Sequence, residues 1–160
     1  HRAENTDDPL RLRSIFEGLQ DVAAQGLKVV VPLHPRTKKA LSQSRDLQAL
    51  CPSLSIIDPV SYLDMIMLEK NAQVILTDSG GVQKEAFFFR VPCVTLREET
   101  EWVETVQTRW NVLAGCSREM IARAAQSARP GEETAWPYGD GRTAERIIEL
   151  MTLFFEAGYN

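Results

Sequence analysis

Short apolar segments alternate with longer helical segments along the whole of this chain. The strand-like segments cover residues 27–33, 54–57, 74–77, 92–96 and 111–114, and they are rich in Val, Ile and Leu. Helical patterns begin near residues 9, 37, 61, 81, 117 and 143. Short strands separated by helices indicate βαβ units. We therefore predict an α/β fold, a Rossmann-like three-layer sandwich with a parallel sheet.

The ends of several helices are marked by capping residues. Asp7 or Asp8 precedes Pro9, and Ser61 and Ser117 stand directly before two further helical patterns. A short polar side chain at such a position accepts a hydrogen bond from the first helical turn, and proline suits the position after it. These signals fix where we expect the helices to start.

The composition limits the functions that this chain can have. The chain has 160 residues, 44% of them apolar, and a net charge of −4, which fits one folded domain. An acidic balance argues against a broad surface for nucleic acid or anionic membranes, although local basic spots can still meet phosphates. Cys51, Cys93 and Cys116 are too few for a disulfide framework or a zinc site, so we expect no metal. We expect a cytoplasmic protein and, because no methionine precedes His1, a piece of a longer one.

Two loops follow predicted strands, at the sheet edge where ligands bind in folds of this type. The first covers residues 33–36, and the second runs from Thr77 through Gly80 and Gly81 to Glu85. Glycines at a helix N-terminus let backbone N–H groups approach an anion, and phosphate is the natural candidate. Glu85, one turn further on, can accept hydrogen bonds from the two hydroxyls of a ribose. The spacing alone leaves open a tight turn with a solvated glutamate.

The motifs in their order resemble one family across essentially the whole chain. They are the segments 1–5, 77–85, 91–97, 99–101 and 137–142, which read HRAEN, TDSGGVQKE, VPCVTLR, ETE and PYGDGR. Together they resemble the C-terminal half of the non-hydrolysing UDP-N-acetylglucosamine 2-epimerases. The resemblance implies that residues 1–160 form the C-terminal UDP-binding domain, one half of a two-domain GT-B architecture whose N-terminal domain is missing.

The resemblance also implies an activity and a set of site residues. These enzymes invert C2 of a UDP-2-acetamido sugar by eliminating UDP and adding it back, without a cofactor. The carboxylates that move protons lie in the N-terminal half, so we expect this chain alone to bind UDP without epimerising. Carried over residue by residue, the family pattern makes His1 catalytic, gives UDP contacts to Val60, Met65, Ser79, Gly80, Gly81 and Glu85, and gives an activator site for a second UDP-sugar to Arg2, Glu4 and His34.

The sequence departs from the family pattern at two positions. Trp102 stands where many members have an arginine that holds the diphosphate, and Met65 stands where an aromatic residue is common. Arg97 is our candidate for the missing positive charge. The segment Glu-Thr-Glu-Trp at residues 99–102 is similar to the one in relatives that epimerise UDP-2,3-diacetamido sugar acids. A UDP-sugar of that kind is therefore an alternative substrate.

Two other classes of function also stay open: a GT-B glycosyltransferase domain and a non-catalytic nucleotide-sugar module. We expect the partners to be a UDP-sugar and the N-terminal domain, with a homodimer at full length. The bulky run 87–89 is predicted to be core, and Cys93 to be a small buried apolar residue.

Overall fold

A computed structural model gives the fold of this chain and describes residues 2–42, 52–134 and 137–156. The strands are β1 (Val30–Pro32), β2 (Ser55–Ile57), β3 (Ile75–Thr77), β4 (Cys93–Thr95) and β5 (Asn111–Leu113). The helices are α1 (Ala3–Thr6), α2 (Pro9–Ala24), α3 (Pro35–Ser42), α4 (Tyr62–Lys70), α5 (Gly80–Phe89), α6 (Val103–Gln107), α7 (Arg118–Ser127) and α8 (Thr143–Glu156). The alternation of strands and helices that the sequence predicts is confirmed.

All strand pairs in the described part of the chain are parallel. In one sheet, β1 pairs with β2, with Val31 opposite Ile56. In the other, β4 lies between β3 and β5, with Val94 opposite both Leu76 and Val112. This arrangement confirms the prediction of an α/β fold with parallel strands.

Among the described residues, β1 and β3 form no hydrogen-bonded strand pair. A cleft of about 760 Å³ therefore separates the two sheets. Its walls come from both strands, from the apolar face of α2 and from α4. The hydrogen bonding of the predicted sheet is therefore interrupted at its centre. Pro32, which has no N–H to donate, is the last residue of β1.

Strand β4 shows how helices cover both faces of the sheet. Val94 belongs to a buried cluster with Phe16 of α2 and Ile121 of α7. Its neighbour Cys93 points to the opposite face and packs with Ala86 of α5. Because successive residues of a strand face opposite ways, these contacts define three layers, as predicted. Burial raises the pKa of Cys93 to about 12, so it behaves as the predicted small apolar residue.

Helices α2 and α7 approach each other closely at Gly18. A Cβ atom at Gly18 would lie 3.0 Å from Cβ of Ile121 and 3.2 Å from the carbonyl oxygen of Arg118. Such a short separation requires a residue without a side chain. This helix pair closes the face of the sheet opposite α5.

The predicted helix starts are largely correct. The side chains of Asp8, Ser61 and Ser117 each accept a backbone hydrogen bond from the first turn that follows. The helix expected at 37–50 begins two residues earlier, at Pro35, and residues 43–51 lie outside the described part. The short helices α1 and α6 were not predicted.

Other expectations need correction. The strand expected at 27–33 is paired only over Val30–Pro32. The run 87–89 is not uniformly core: Phe87 is buried, but Phe88 is 55% exposed because it lies on the outer side of α5.

The last helix, α8, lies apart from both core clusters. Every described side chain from Thr143 to Phe155 is exposed. The apolar ones among them are Ile147, Ile148, Leu150, Met151, Leu153, Phe154 and Phe155. A 14-residue amphipathic helix with its apolar side uncovered is a surface that a partner would normally bury.

Candidate functional site

The direction of the chain reverses between β1 and β3. β1 pairs with β2 in one sheet, and the chain then returns to β3, which lines the cleft together with β1 and pairs with β4. Ligands of open parallel sheets bind outside the carboxyl ends of the strands at such a switch point. His34 follows β1, and Asp78 and Ser79 follow β3; all three line the cleft. The two loops that the sequence singles out therefore do meet.

The N-terminus of α5 is built to receive an anion. Ser79 is the N-cap, but its side chain makes no capping hydrogen bond, and Gly80 and Gly81 are the first helical residues. The backbone N–H group of Ser79 is held by the hydroxyl of Thr77, at 3.0 Å. The first N–H groups of a helix have no partner within it and carry the positive end of its dipole. This end of α5 can therefore bind phosphate oxygens.

Three side chains surround the first turn of α5. A Cβ atom at Gly80 would lie 3.3 Å from Nε1 of Trp102, 3.4 Å from Oε2 of Glu101 and 3.7 Å from Nη2 of Arg2. The glycine therefore leaves the space between them open. Nε1 of Trp102 is buried and has no acceptor within the described residues. A buried N–H without a partner next to a helix N-terminus is well placed to donate to a bound anion.

A buried polar network fixes the position of Trp102. The backbone N–H group of Trp102 donates to the hydroxyl of Thr100, at 3.0 Å, and that hydroxyl donates to Oε1 of Gln83, at 2.5 Å. Gln83 is fully buried on α5, and its oxygen also accepts from Asn111 on β5. The loop after β4 is thereby tied to α5. Lys84 Nζ lies 4.2 Å from the centre of the Trp102 ring, a cation–π contact that adds positive charge nearby.

Helix α1 is bound to the ends of β3 and β4. The backbone N–H group of Arg2 donates to Asp78, at 2.8 Å. The buried amide of Asn5 donates to the carbonyl oxygen of Leu96, at 2.9 Å, and to Asp78, at 3.3 Å. These contacts bring the side chain of Arg2 close to Gly80.

Arg97 is already paired with carboxylates. Its guanidinium is buried and donates to both oxygens of Glu101, at 3.0 Å, while Glu4 lies 3.8 Å away. A backbone hydrogen bond, and then Arg97, hold the pKa of Glu101 below its ordinary value. Arg2, which is half exposed and lies 3.6 Å from Glu101, is the more accessible cation at this end of α5. A direct contact of Arg97 with UDP stays a prediction.

The predicted activator residues divide between two places. Arg2 and Glu4 lie together in the ion-pair cluster around Arg97 and Glu101. His34 lies at the end of β1, where its Nδ1 accepts from the backbone N–H group of Arg36, at 3.2 Å. The structure tests neither their binding role nor that of His1, which lies outside the described residues.

Glu85 lies on the second turn of α5, facing α4. It is half-buried, and the hydroxyl of Tyr62 donates to its Oε1, at 3.3 Å. Met65 lines the cleft from α4, whereas Val60 precedes that helix and is not among the lining residues. Glu85 thus lies one turn beyond the predicted phosphate loop and Met65 lines the same cleft as Ser79, while the ligand contacts of all three stay predictions.

Sequence reasoning missed a second carboxyl group at this place. Glu69 on α4 is 2% exposed, and its burial, together with the charge of Glu85, raises its pKa to about 7. In the sequence it precedes Lys70 near a helix end, a position typical of a solvated pair. Only the packing of α4 on α5 reveals its burial.

The described residues contain no group of three His, Cys, Asp or Glu side chains that could hold a metal ion. Among their helices, none is both long and apolar enough to cross a membrane.

The fold and this cleft define a Rossmann-like α/β domain with a ligand crevice at its switch point. The chain belongs to the UDP-N-acetylglucosamine 2-epimerase family, whose model matches residues 1–152. The family that the motifs resemble is therefore confirmed.

Individual relatives agree with this assignment. The chain is 47% identical over 153 residues to a UDP-2,3-diacetamido-2,3-dideoxy-D-glucuronate 2-epimerase of Pseudomonas aeruginosa, covering 94% of this chain and 42% of the relative. It is 46% identical to a UDP-N-acetylglucosamine 2-epimerase homolog of Methanococcus maripaludis, with the same coverage.

A solved structure extends the comparison to three dimensions. The UDP-GlcNAc 2-epimerase of Methanocaldococcus jannaschii in complex with UDP-GlcNAc and UDP has a TM-score of 0.82 and 41% identity, over 96% of this chain and 43% of that one. The chain thus spans less than half the length of the relatives it matches.

Proposed function

We propose that this chain is the C-terminal UDP-binding domain of an enzyme that inverts C2 of a UDP-2-acetamido sugar, of the type that converts UDP-GlcNAc to UDP-ManNAc. One observation carries the proposal: the open first turn of α5 lies at the switch point, with Glu85 on the next turn. Family membership supplies the class of reaction.

The first turn of α5 would hold the diphosphate of UDP. Elimination turns UDP into a leaving group, so donors directed at its oxygens stabilise the charge that develops there. The backbone N–H groups of Gly80 and Gly81 and the indole N–H of Trp102 surround this space. Interactions that strengthen as UDP departs lower the barrier, whereas equal binding of the intact sugar does not.

Glu85 and the residues around it would hold the nucleoside. The Glu85 carboxylate would repel the phosphates, so it does not bind them. It can instead accept hydrogen bonds from the two vicinal hydroxyls of the ribose. Met65, in the wall of the cleft, is available to the uracil. A contact of the uracil with the backbone near Val60 rests on the family pattern alone.

The proton transfers at C2 would come from the other half of the enzyme. We assign His1 to the sugar side of the diphosphate from the family pattern alone. The apolar side of α8 is exposed, and an N-terminal domain of the same protein would bury it. This surface supports the proposal that such a domain is the partner. At full length we expect a homodimer in the cytoplasm.

Two measurements with this chain test the proposal. UDP should bind in a calorimetric titration, and incubation with UDP-N-acetylglucosamine in deuterated water should give no deuterium at C2. Failure to bind UDP would remove the proposed function. Deuterium incorporation at an enzymatic rate would show that the base lies in this half.

A second substrate is favoured by a specific observation. The relative that is 47% identical acts on a UDP-2,3-diacetamido glucuronate, as its name states. Such a sugar carries an additional carboxylate, and Arg2 is a half-exposed cation beside the diphosphate space. Product analysis of the full-length enzyme with both UDP-sugars decides between them.

The ion-pair cluster offers a further binding role. Arg2 and Glu4 would contribute to the activator site for a second UDP-sugar that the family pattern implies, and His34 would contact that ligand from its separate place at the end of β1. Saturation of UDP-N-acetylglucosamine binding at two equivalents per full-length chain would support that site, and saturation at one would remove it.

A further inference from the structure

Glu69 is a buried acid without a donor. Its side chain points from the last turns of α4 toward α5, with 2% of its surface exposed. In the described part of the chain, no N–H or O–H group donates to either carboxylate oxygen. An ionised carboxylate in that position would be strongly penalised, because it has lost water and gained no replacement. The carboxyl group is therefore more stable with its proton on.

The neighbour that can receive this proton in a hydrogen bond is Glu85. Glu85 lies on α5, which packs against α4, and the charge of Glu85 further disfavours ionisation of Glu69. Neither acid takes part in an ion pair among the residues that the structure describes. No cation among the described residues therefore compensates a second negative charge on these two carboxyl groups.

The other titratable groups near this pair are neutral around pH 7. Burial, and then the charge of Glu85, raise the pKa of Tyr62 above its ordinary value of 10.0, and burial raises the pKa of Cys93 to about 12. From α5, Lys84 is directed over the ring of Trp102. A change of charge near neutrality in this place therefore belongs to Glu69.

We propose that Glu69 is a positioning residue for UDP binding: its buried carboxyl group keeps its proton and donates it to Glu85, which in turn accepts from the ribose. This inference rests on the proposed function. With Glu69 donating from the interior and Tyr62 from the surface, Glu85 is held at both sides in one rotamer. A held acceptor loses less conformational entropy when a ligand binds.

The pair also makes ribose recognition depend on pH. Below neutrality, Glu69 is protonated and can donate to Glu85. As pH rises through about 7, Glu69 loses its proton and no longer donates. Two adjacent carboxylates then repel each other, and Glu85 is released from its position. Affinity for UDP should fall over this range for reasons unrelated to the phosphates.

The test compares UDP with 2′,3′-dideoxy-UDP in titrations of this chain from about pH 6 to about pH 8.5. Dideoxy-UDP carries the same phosphates, so it corrects for their own ionisation. We expect UDP to lose roughly tenfold more affinity than dideoxy-UDP across this range. Glu69→Gln keeps a donor but cannot ionise, so the excess loss should disappear while tight binding is retained. Glu69→Met, which has no donor, should bind UDP weakly at every pH.

The outcomes distinguish failure of the role of Glu69 from failure of the proposed function. If UDP and dideoxy-UDP have the same pH profile, or if Glu69→Gln keeps the excess loss, Glu69 does not position Glu85. If UDP binds at no pH, the proposed function fails, and the proton on Glu69 is tested without ligand. An infrared band of a protonated carboxyl group should then be present at about pH 6, weaken by about pH 8.5, and be missing in Glu69→Gln. Absence of that band from the unmodified chain would overturn the inference.

Discussion

Nε1 of Trp102 lies 3.3 Å from the point that a Cβ atom of Gly80 would occupy, so the indole N–H borders the first turn of α5. The two residues are brought together by the network from Thr100 to Gln83, which ties the loop after β4 to the interior of α5. A neutral donor here takes the place that an arginine has in many members of the family. At the proposed diphosphate site, this substitution keeps a donor but removes one charge.

Trp102→Phe removes this donor and keeps an aromatic ring for Lys84. We expect UDP to bind about tenfold more weakly, since a hydrogen bond to a charged group contributes about 1.5 kcal/mol or more. Calorimetry measures the change. Trp110→Phe is the matched control, because the Nε1 of Trp110 donates to the carbonyl oxygen of Glu132, away from α5. Equal affinities for Trp102→Phe and the unmodified chain would separate Trp102 from the diphosphate.

Glu85→Gln should weaken UDP by about ten- to hundredfold, because a carboxylate that only accepts is replaced by an amide that also donates. The same change should hardly alter the binding of 2′,3′-dideoxy-UDP, which has no hydroxyls to offer. Titrations of both ligands against both proteins form a thermodynamic cycle. An equal loss for the two ligands would make Glu85 a structural residue.

Glu69→Gln should change how stability depends on pH. Burial and Glu85 raise the pKa of folded Glu69 to about 7 from an ordinary value of 4.5. The folded chain therefore holds a proton that the unfolded chain releases, and the stabilisation from this proton is lost as pH rises from about 4.5 through about 7. Since glutamine cannot ionise, the Tm of Glu69→Gln relative to the unmodified chain should rise over this range and then level off. A Tm difference that stays constant with pH would place the ionisation elsewhere.

Gly18→Ala should destabilise the packing of α2 on α7. The added methyl group would lie 3.0 Å from Cβ of Ile121, and overpacking of this kind costs about 1–3 kcal/mol. Denaturant unfolding gives the value. Ile121→Ala alone leaves a cavity; it removes Cγ2, which would also lie 3.0 Å from the added methyl group, but it keeps Cβ. Part of the clash is therefore relieved, and the double variant should be more stable than the sum of the single changes. Strict additivity would show that the two residues do not touch.

Leu150→Lys with Phe154→Lys should reduce self-association of this chain without lowering its Tm. Both side chains are more than half exposed on α8, so their removal leaves the core clusters intact. Sedimentation velocity reports the association. Glu149→Lys adds positive charge to the same helix but removes no apolar surface, so it should leave association unchanged. A large fall in Tm for the double variant would mean that α8 packs against this domain in solution.

The main elements were predictable because their signals are local. Alternating strands and helices, the caps at Asp8, Ser61 and Ser117, and the glycines at the start of α5 are all properties of short segments. The position of the site followed from these segments, because the ends of parallel strands meet at one edge of the sheet.

What escaped prediction depends on packing between distant segments. Glu69 reads as a solvated residue in the sequence and becomes buried only because α4 lies against α5. Arg97 offered a free cation in the sequence, whereas Glu4 and Glu101 neutralise it in the fold. The break between β1 and β3 has no signature in either strand.

Because no strand pairing joins the two sheets in the described residues, a nucleotide bound between them would hold them together. His34, at the end of β1, lies on one side of the cleft, and Ser79, at the start of α5, lies on the other. Backbone hydrogen bonds do not span this seam in the described residues, so a ligand that contacts both walls becomes a cross-link between them. Because the ligand binds only when both walls are in place, its binding free energy stabilises the domain against local separation of β1 and β2 from the second sheet. Amide exchange in these two strands, distant in sequence from the phosphate loop, should slow in step with occupancy by UDP.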